Sequence, residues 1–109
     1  MNTAPLILQQ GIDSGFAWEI VDGTEPADLT GYTAKGQVRK QESVTSPLLA
    51  DLTCAVVGSS VSVQWTAEQS LAWNFTSGRG DVILINPAGR PVQVIWQGTM
   101  SVDPVVTDV

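Results

Sequence analysis

The 109-residue chain carries 15% charged against 43% hydrophobic residues, which excludes a disordered segment and gives a single domain enough apolar surface for a core. Five Lys and Arg against eleven Asp and Glu leave a formal charge of −6, a balance that argues against a nucleic-acid or anionic-membrane partner. Histidine is absent and Cys54 is alone, so Ser-His-Asp and Cys-His catalysis, most zinc sites and an internal disulfide are excluded.

In chain order, Met1–Pro5 reads as a short weakly patterned arm. Phe16, Trp18 and Ile20 alternate with Ala17, Glu19 and Val21, the period of two of a half-buried strand, and Asp22-Gly23 breaks the run. Tyr32, Ala34, Gly36 and Val38 alternate with Thr33, Lys35, Gln37 and Arg39 in the same way. Pro47 opens Leu48–Thr53, and Gly58-Ser59-Ser60 reads as a hairpin turn between Cys54–Val57 and Val61–Trp65. Thr66 to Trp73 is the single helical stretch. Thr66 caps it, Gln69 completes a capping box, and Leu71 and Trp73 are candidates to plug one end of the core. Asn74 to Gly80 is rich in turn residues. Asp81–Ile85 and Pro91–Gly98 form a second hairpin around Pro87-Ala88-Gly89-Arg90, with Gly98 a candidate bulge before Thr99–Val102. Asp103-Pro104 ends the last strand, and Pro104–Val109 is a second arm.

Seven or eight strands with turns every 8–12 residues predict an all-β, antiparallel β-sandwich, immunoglobulin-like in architecture, with one short helix near 66–73. A small β-barrel is the alternative, because periodicity cannot separate the two. The chain is one domain, 1–109, with arms at 1–5 and 104–109. No internal repeat or linker interrupts it.

Catalytic chemistry finds no constellation. The acids Asp13, Asp22, Glu25, Asp28, Asp51 and Asp103 all adjoin turns and cluster with no nucleophile, glycine loop or metal-ligand spacing. The sequence therefore implies neither an enzyme nor a cofactor. Asp22–Asp28 holds three acids in seven residues but does not match a calcium loop. Trp18, Trp65 and Trp96 sit in alternating runs and read as core, whereas Trp73, beside the Asn74 turn, is the candidate exposed aromatic. Arg79-Gly80-Asp81 reads as a turn entering a strand rather than an adhesion motif. Asn74-Phe75-Thr76 matches a glycosylation sequon, but MNTAPLILQQ lacks the basic region and cleavage site of a secretion signal, so no signal peptide is expected. No apolar run approaches the roughly 20 residues that span a bilayer as a helix.

Several segments together carry a resemblance. They are Leu8-Gln9-Gln10-Gly11 with Phe16-Ala17-Trp18, then Asp28-Leu29-Thr30-Gly31-Tyr32-Thr33-Ala34 with Val38-Arg39. Leu52-Thr53, Val61-Ser62-Val63, Thr66-Ala67-Glu68-Gln69 and Gly80-Asp81-Val82 follow, and Trp96–Val102 closes the series. Over about residues 6 to 106 the chain resembles a family of small β-sandwich domains of tailed bacteriophages, found in baseplate upper proteins, lower tail-fibre proteins and minor virion proteins. The first two segments resemble its opening strand pair. The resemblance implies a non-enzymatic structural protein of the virion, made in the host cytoplasm. Its role would be that of an adaptor or minor tail protein, at the baseplate or tail-fibre attachment, that docks other virion proteins. Capsid decoration on the major capsid protein is the first alternative and a carbohydrate-binding module with Trp73 exposed the second. Homo-oligomerisation is compatible with either virion role. Docking is expected through strand edges and the two arms, with Pro5, Leu6, Ile7, Leu8, Val102, Pro104, Val105 and Val106 as the candidate residues.

Overall fold

A computed structural model of the chain describes residues 2–41, 45–73 and 75–103. In chain order the elements are β1 (Leu6–Gln9), β2 (Ser14–Glu19), β3 (Val21–Asp22), β4 (Glu25–Pro26), β5 (Thr33–Arg39), β6 (Leu48–Val57), β7 (Ser60–Trp65), α1 (Ala67–Leu71), β8 (Ser77–Ile85) and β9 (Pro91–Asp103). Seven strands make one sheet in the order β1-β9-β8-β5-β6-β7-β2, and β3 and β4 form a separate small hairpin. The fold is all-β.

One strand turns this sheet into two layers. The first half of β6 pairs with β5 up to Leu52 opposite Gly36, and the second half pairs with β7 from Thr53 opposite Gln64. The alternation along β6 sends Ala50, Leu52, Cys54 and Val56 inward and leaves Asp51, Thr53, Ala55 and Val57 exposed, so a single strand faces both layers with the same side. The fold-over is confirmed by Trp18 on β2 and Trp96 on β9. Four strands separate them in the sheet, yet their rings stack with centroids 6.3 Å apart. In a flat sheet that separation would be roughly 24 Å, at about 4.8 Å per strand. The sheet is thus curled almost into a barrel, between the two architectures that periodicity left open.

Local chemistry explains most of the boundaries. Gly58 takes φ +62° in the two-residue turn of the β6–β7 hairpin, where Val57 pairs with Ser60. The capping box of α1 forms as the spacing predicts. Thr66 Oγ1 accepts from the Gln69 N–H at 3.1 Å, and Gln69 Oε1 accepts from the Thr66 N–H at 2.8 Å. Substituting Thr66 by alanine is expected to cost about 0.5–2 kcal/mol, read as a lowered urea midpoint with an unchanged slope.

Other sequence expectations are corrected. β8 begins at Ser77 rather than Asp81, because Gly78 and Gly80 pack against the core. Arg79-Gly80-Asp81 therefore lies inside a strand. Gly98 pairs regularly with Gly80, and the irregularities of β9 fall instead at Val92 and Ile95, each an extra residue against β8. The one at Ile95 lets two consecutive residues, Ile95 and Trp96, both be buried. Glycine at 80 and 98 serves the Trp96 indole. A Cβ at Gly80 would lie 3.0 Å from Trp96 Cζ3, and one at Gly98 would lie 3.1 Å from the Thr3 carbonyl oxygen.

The largest departure from a purely antiparallel sheet is β1. It does not pair with β2 as the family resemblance implies, but runs parallel to β9, with Leu6 opposite Met100 and Gln9 opposite Asp103. Nor is the N-terminal arm free. The Asn2 N–H donates to the Ile95 carbonyl at 3.0 Å, the Gln97 N–H donates to the Asn2 carbonyl at 3.0 Å, and Trp96 Nε1 donates to the Ala4 carbonyl at 2.7 Å. Residues 2–4 thereby extend the β1–β9 seam. Pro104–Val109 lie outside the described residues.

Candidate functional site

The two ends of the sheet are formed by β1 and β2. Among the described residues β2 pairs on one side only, with β7, from Ser14 opposite Trp65 to Glu19 opposite Ser60. Its exposed length carries a single charge, Glu19, and that carboxylate is turned back to accept from the Ser59 and Ser60 hydroxyls at 2.8 and 3.2 Å. Phe16, at an inward-facing position, is still 38% exposed because no further strand covers it, and its ring packs on Trp65 at 5.8 Å. β1, at the other end, exposes Ile7 at 60%. The loop between β1 and β2 is fixed to α1, since the Gly11 N–H donates to Ser70 Oγ at 2.7 Å and Gln10 Nε2 donates to the Leu71 carbonyl at 3.2 Å.

The candidate docking residues divide sharply. Leu6, Leu8 and Val102 are buried in the core, so the expectation that they meet a partner is corrected. Their strands are paired with each other, and alternation turns these three side chains inward. Pro5 and Ile7 are exposed. Pro104, Val105 and Val106 lie outside the described residues. Trp73 is likewise corrected, being only 9% exposed and packed against Trp65 at 6.2 Å. The helix stops at Leu71 and the chain drops back over the core end, so Trp73 serves as the plug while Leu71 faces solvent. Trp65 and Trp96 are buried and Trp18 half-buried, in keeping with their core assignment.

Neither a protein-family model nor a curated protein sequence matches the chain.

The titratable groups are dispersed. Among the described residues no group of three or more Cys, Asp or Glu side chains is placed to hold a metal ion, and no helix is long and apolar enough to cross a membrane. In the acidic 22–28 stretch, the Asp28 carboxylate accepts from the Thr30 hydroxyl at 2.7 Å and from the Thr30 N–H at 3.1 Å, bonds that hold its pKa below the ordinary value. Burial pushes the Cys54 thiol up to about 11, which leaves it unreactive at neutral pH. Sequence reasoning missed two residues. Asp13 accepts from the Ala67 N–H at the start of α1, a pairing across 54 positions that no local pattern signals. Asp81, flanked by Gln37 on β5 and Gln97 on β9, is the other.

Partial burial raises the Asp81 pKa, against the lowering effect of the Arg39 charge. The folded carboxyl then holds its proton to a higher pH than the unfolded one. Stability falls as pH rises above the ordinary value of 3.8 and levels off once the raised value is passed. An Asp81→Asn variant is expected to lose this descent, so denaturation midpoints of the two proteins should converge at low pH and favour the variant at neutral pH. A constant difference across the titration would show that burial does not govern this group.

Proposed function

We propose that this chain is a non-enzymatic structural protein of a tailed-bacteriophage virion. In this reading it is an adaptor at the tail, baseplate or tail-fibre attachment that docks other virion proteins along the open edge of β2. The observation that carries the reading is the state of that edge. Soluble proteins guard exposed strand edges with lysines, prolines, bulges or very short strands, because unpaired N–H and C=O groups recruit other chains. β2 has six residues, regular register with β7 and no basic residue or proline. Such an edge suits a protein whose partner completes the sheet by strand addition. The resemblance to the phage sandwich domains supplies the setting. The acidic charge agrees with protein rather than nucleic-acid partners. Docking through Leu6, Leu8 and Val102 is no longer part of the proposal, because those side chains hold the fold.

Immunogold electron microscopy of purified particles tests the setting. Gold at one end of the tail supports the adaptor reading, and gold over the head replaces it with capsid decoration. Absence of the chain from particles, by gold and by mass spectrometry, overturns a virion role. The edge is tested by Phe16→Lys, which places a charge where the added strand would lie. The variant is expected to retain a strand-rich circular dichroism spectrum but to drop out of particles. Incorporation at the wild-type level would remove β2 as the docking element.

A further inference from the structure

The hydrogen bonding of β2 has a direction. The Ile20 N–H donates to the Ser59 carbonyl at 2.8 Å, which continues the register of Glu19 opposite Ser60. In an antiparallel pair such bonds recur at every second residue. Ser14, Phe16, Trp18 and Ile20 therefore bond toward β7, and the N–H and C=O groups of Gly15, Ala17 and Glu19 point away from it. Among the described residues no strand meets those groups. Apolar side chains gather on the same stretch. Phe16 lies on the strand and Ile12 and Val21 flank it, all three exposed.

Two identical strands related by a two-fold axis pair antiparallel and present the same patch to each other. For the six residues of β2, the axes that engage most of the strand pass through Phe16 or Ala17. An axis at Phe16 sets Asp13 opposite Glu19 of the second copy, and like charges directly opposed destabilise the pair. An axis at Ala17 removes that clash. Glu19 then meets Gly15, Asp13 meets Val21, and Phe16 meets Trp18 of the other copy, twice by symmetry. The Phe16 and Trp18 positions are the non-hydrogen-bonded ones across this interface, where side chains come closest. An aromatic pair there adds to the gain from burial and covers the Phe16 ring that the single chain leaves 38% exposed. We infer, on the reading of β2 as the docking edge, that its occupant is a second copy of this chain, antiparallel about Ala17.

Sedimentation equilibrium of the purified chain is expected to show a species of twice the monomer mass. At a loading of about 0.5 mM, a Kd of the same size already places about half the chains in dimers. Ala17→Pro deletes an outward N–H and leaves the bonds to β7 in place, so its circular dichroism should match wild type. It removes both hydrogen bonds at the axis and is expected to weaken dimerisation about ten-fold or more. Disulfide trapping in a Cys54→Ala background reads the register. Ala17→Cys sets two Cα atoms about 5.5 Å apart, within disulfide reach, and is expected to cross-link on mild oxidation. Glu19→Cys sets its two thiols four residues apart along the strands and is expected to stay uncrosslinked. A chain that remains monomeric at this loading overturns the inference. So does dimerisation undiminished in a folded Ala17→Pro, or cross-linking of Glu19→Cys in preference to Ala17→Cys. Particles separate this from the virion reading. A chain that dimerises but is absent from particles removes that reading alone, whereas an incorporated chain that never dimerises leaves β2 to a different virion protein.

Discussion

A Trp96→Ala variant is expected to lose about 3–5 kcal/mol of stability, a large fraction of what a domain of this size possesses. Trp96 is fully buried, and three separate parts of the fold are built around it. Its ring stacks on Trp18 and so joins the two layers where the sheet closes. Gly80 and Gly98 leave the space that the indole occupies. Its Nε1–H donates to the Ala4 carbonyl and fastens the N-terminal segment. Alanine would open a cavity between the two glycines and beneath the Trp18 ring. Trp96→Phe separates the contributions, because it keeps an aromatic ring and deletes the donor, and should cost about 1–2 kcal/mol. Urea denaturation followed by far-ultraviolet circular dichroism gives both values. A Trp96→Ala loss below about 1 kcal/mol would mean that the indole is not the keystone described.

Truncation from the N-terminus should show a threshold. Removing residues 1–5 deletes the hydrogen bonds that Asn2 and Ala4 make with β9, at about 0.5–1.5 kcal/mol each, and should leave a folded but weakened domain. Removing residues 1–9 also deletes Leu6 and Leu8 and uncovers Met100 and Val102, all buried. Burial of each leucine is worth about 2–5 kcal/mol by comparison with Leu→Ala substitutions, so the longer truncation should abolish cooperative unfolding altogether. A sharp urea transition in the protein lacking residues 1–9 would show that β1 is an accessory to the sheet rather than part of it.

What the sequence made legible was local. Thr66 and Gln69 stand three residues apart, and their box depends on nothing distant. The Gly58-Ser59 turn and the alternation of β5 are equally self-contained. The parallel pairing of β1 was not legible, because a four-residue strand whose partner lies more than ninety positions away gives no local sign of that partner. Trp73 misled because a five-residue helix has too few turns to define a face, and only the packing on Trp65 decides which residue plugs the core. Gly98 suggested a bulge through its residue type, whereas its role is clearance for an indole two positions earlier.

The parallel seam between the first and last strands also fixes how the domain bears force. Asn2 lies beside Trp96 at one end of the seam, and Gln9 beside Asp103 at the other, so the two chain ends leave in opposite directions along the strand axis. Tension applied through the two ends drags β1 and β9 past each other, which loads their cross-strand hydrogen bonds together in shear. An antiparallel terminal pair pulled from one end would release its bonds singly, like a zipper. Pulled through the ends of these two strands, this small domain resists along the direction in which its sheet is hardest to open.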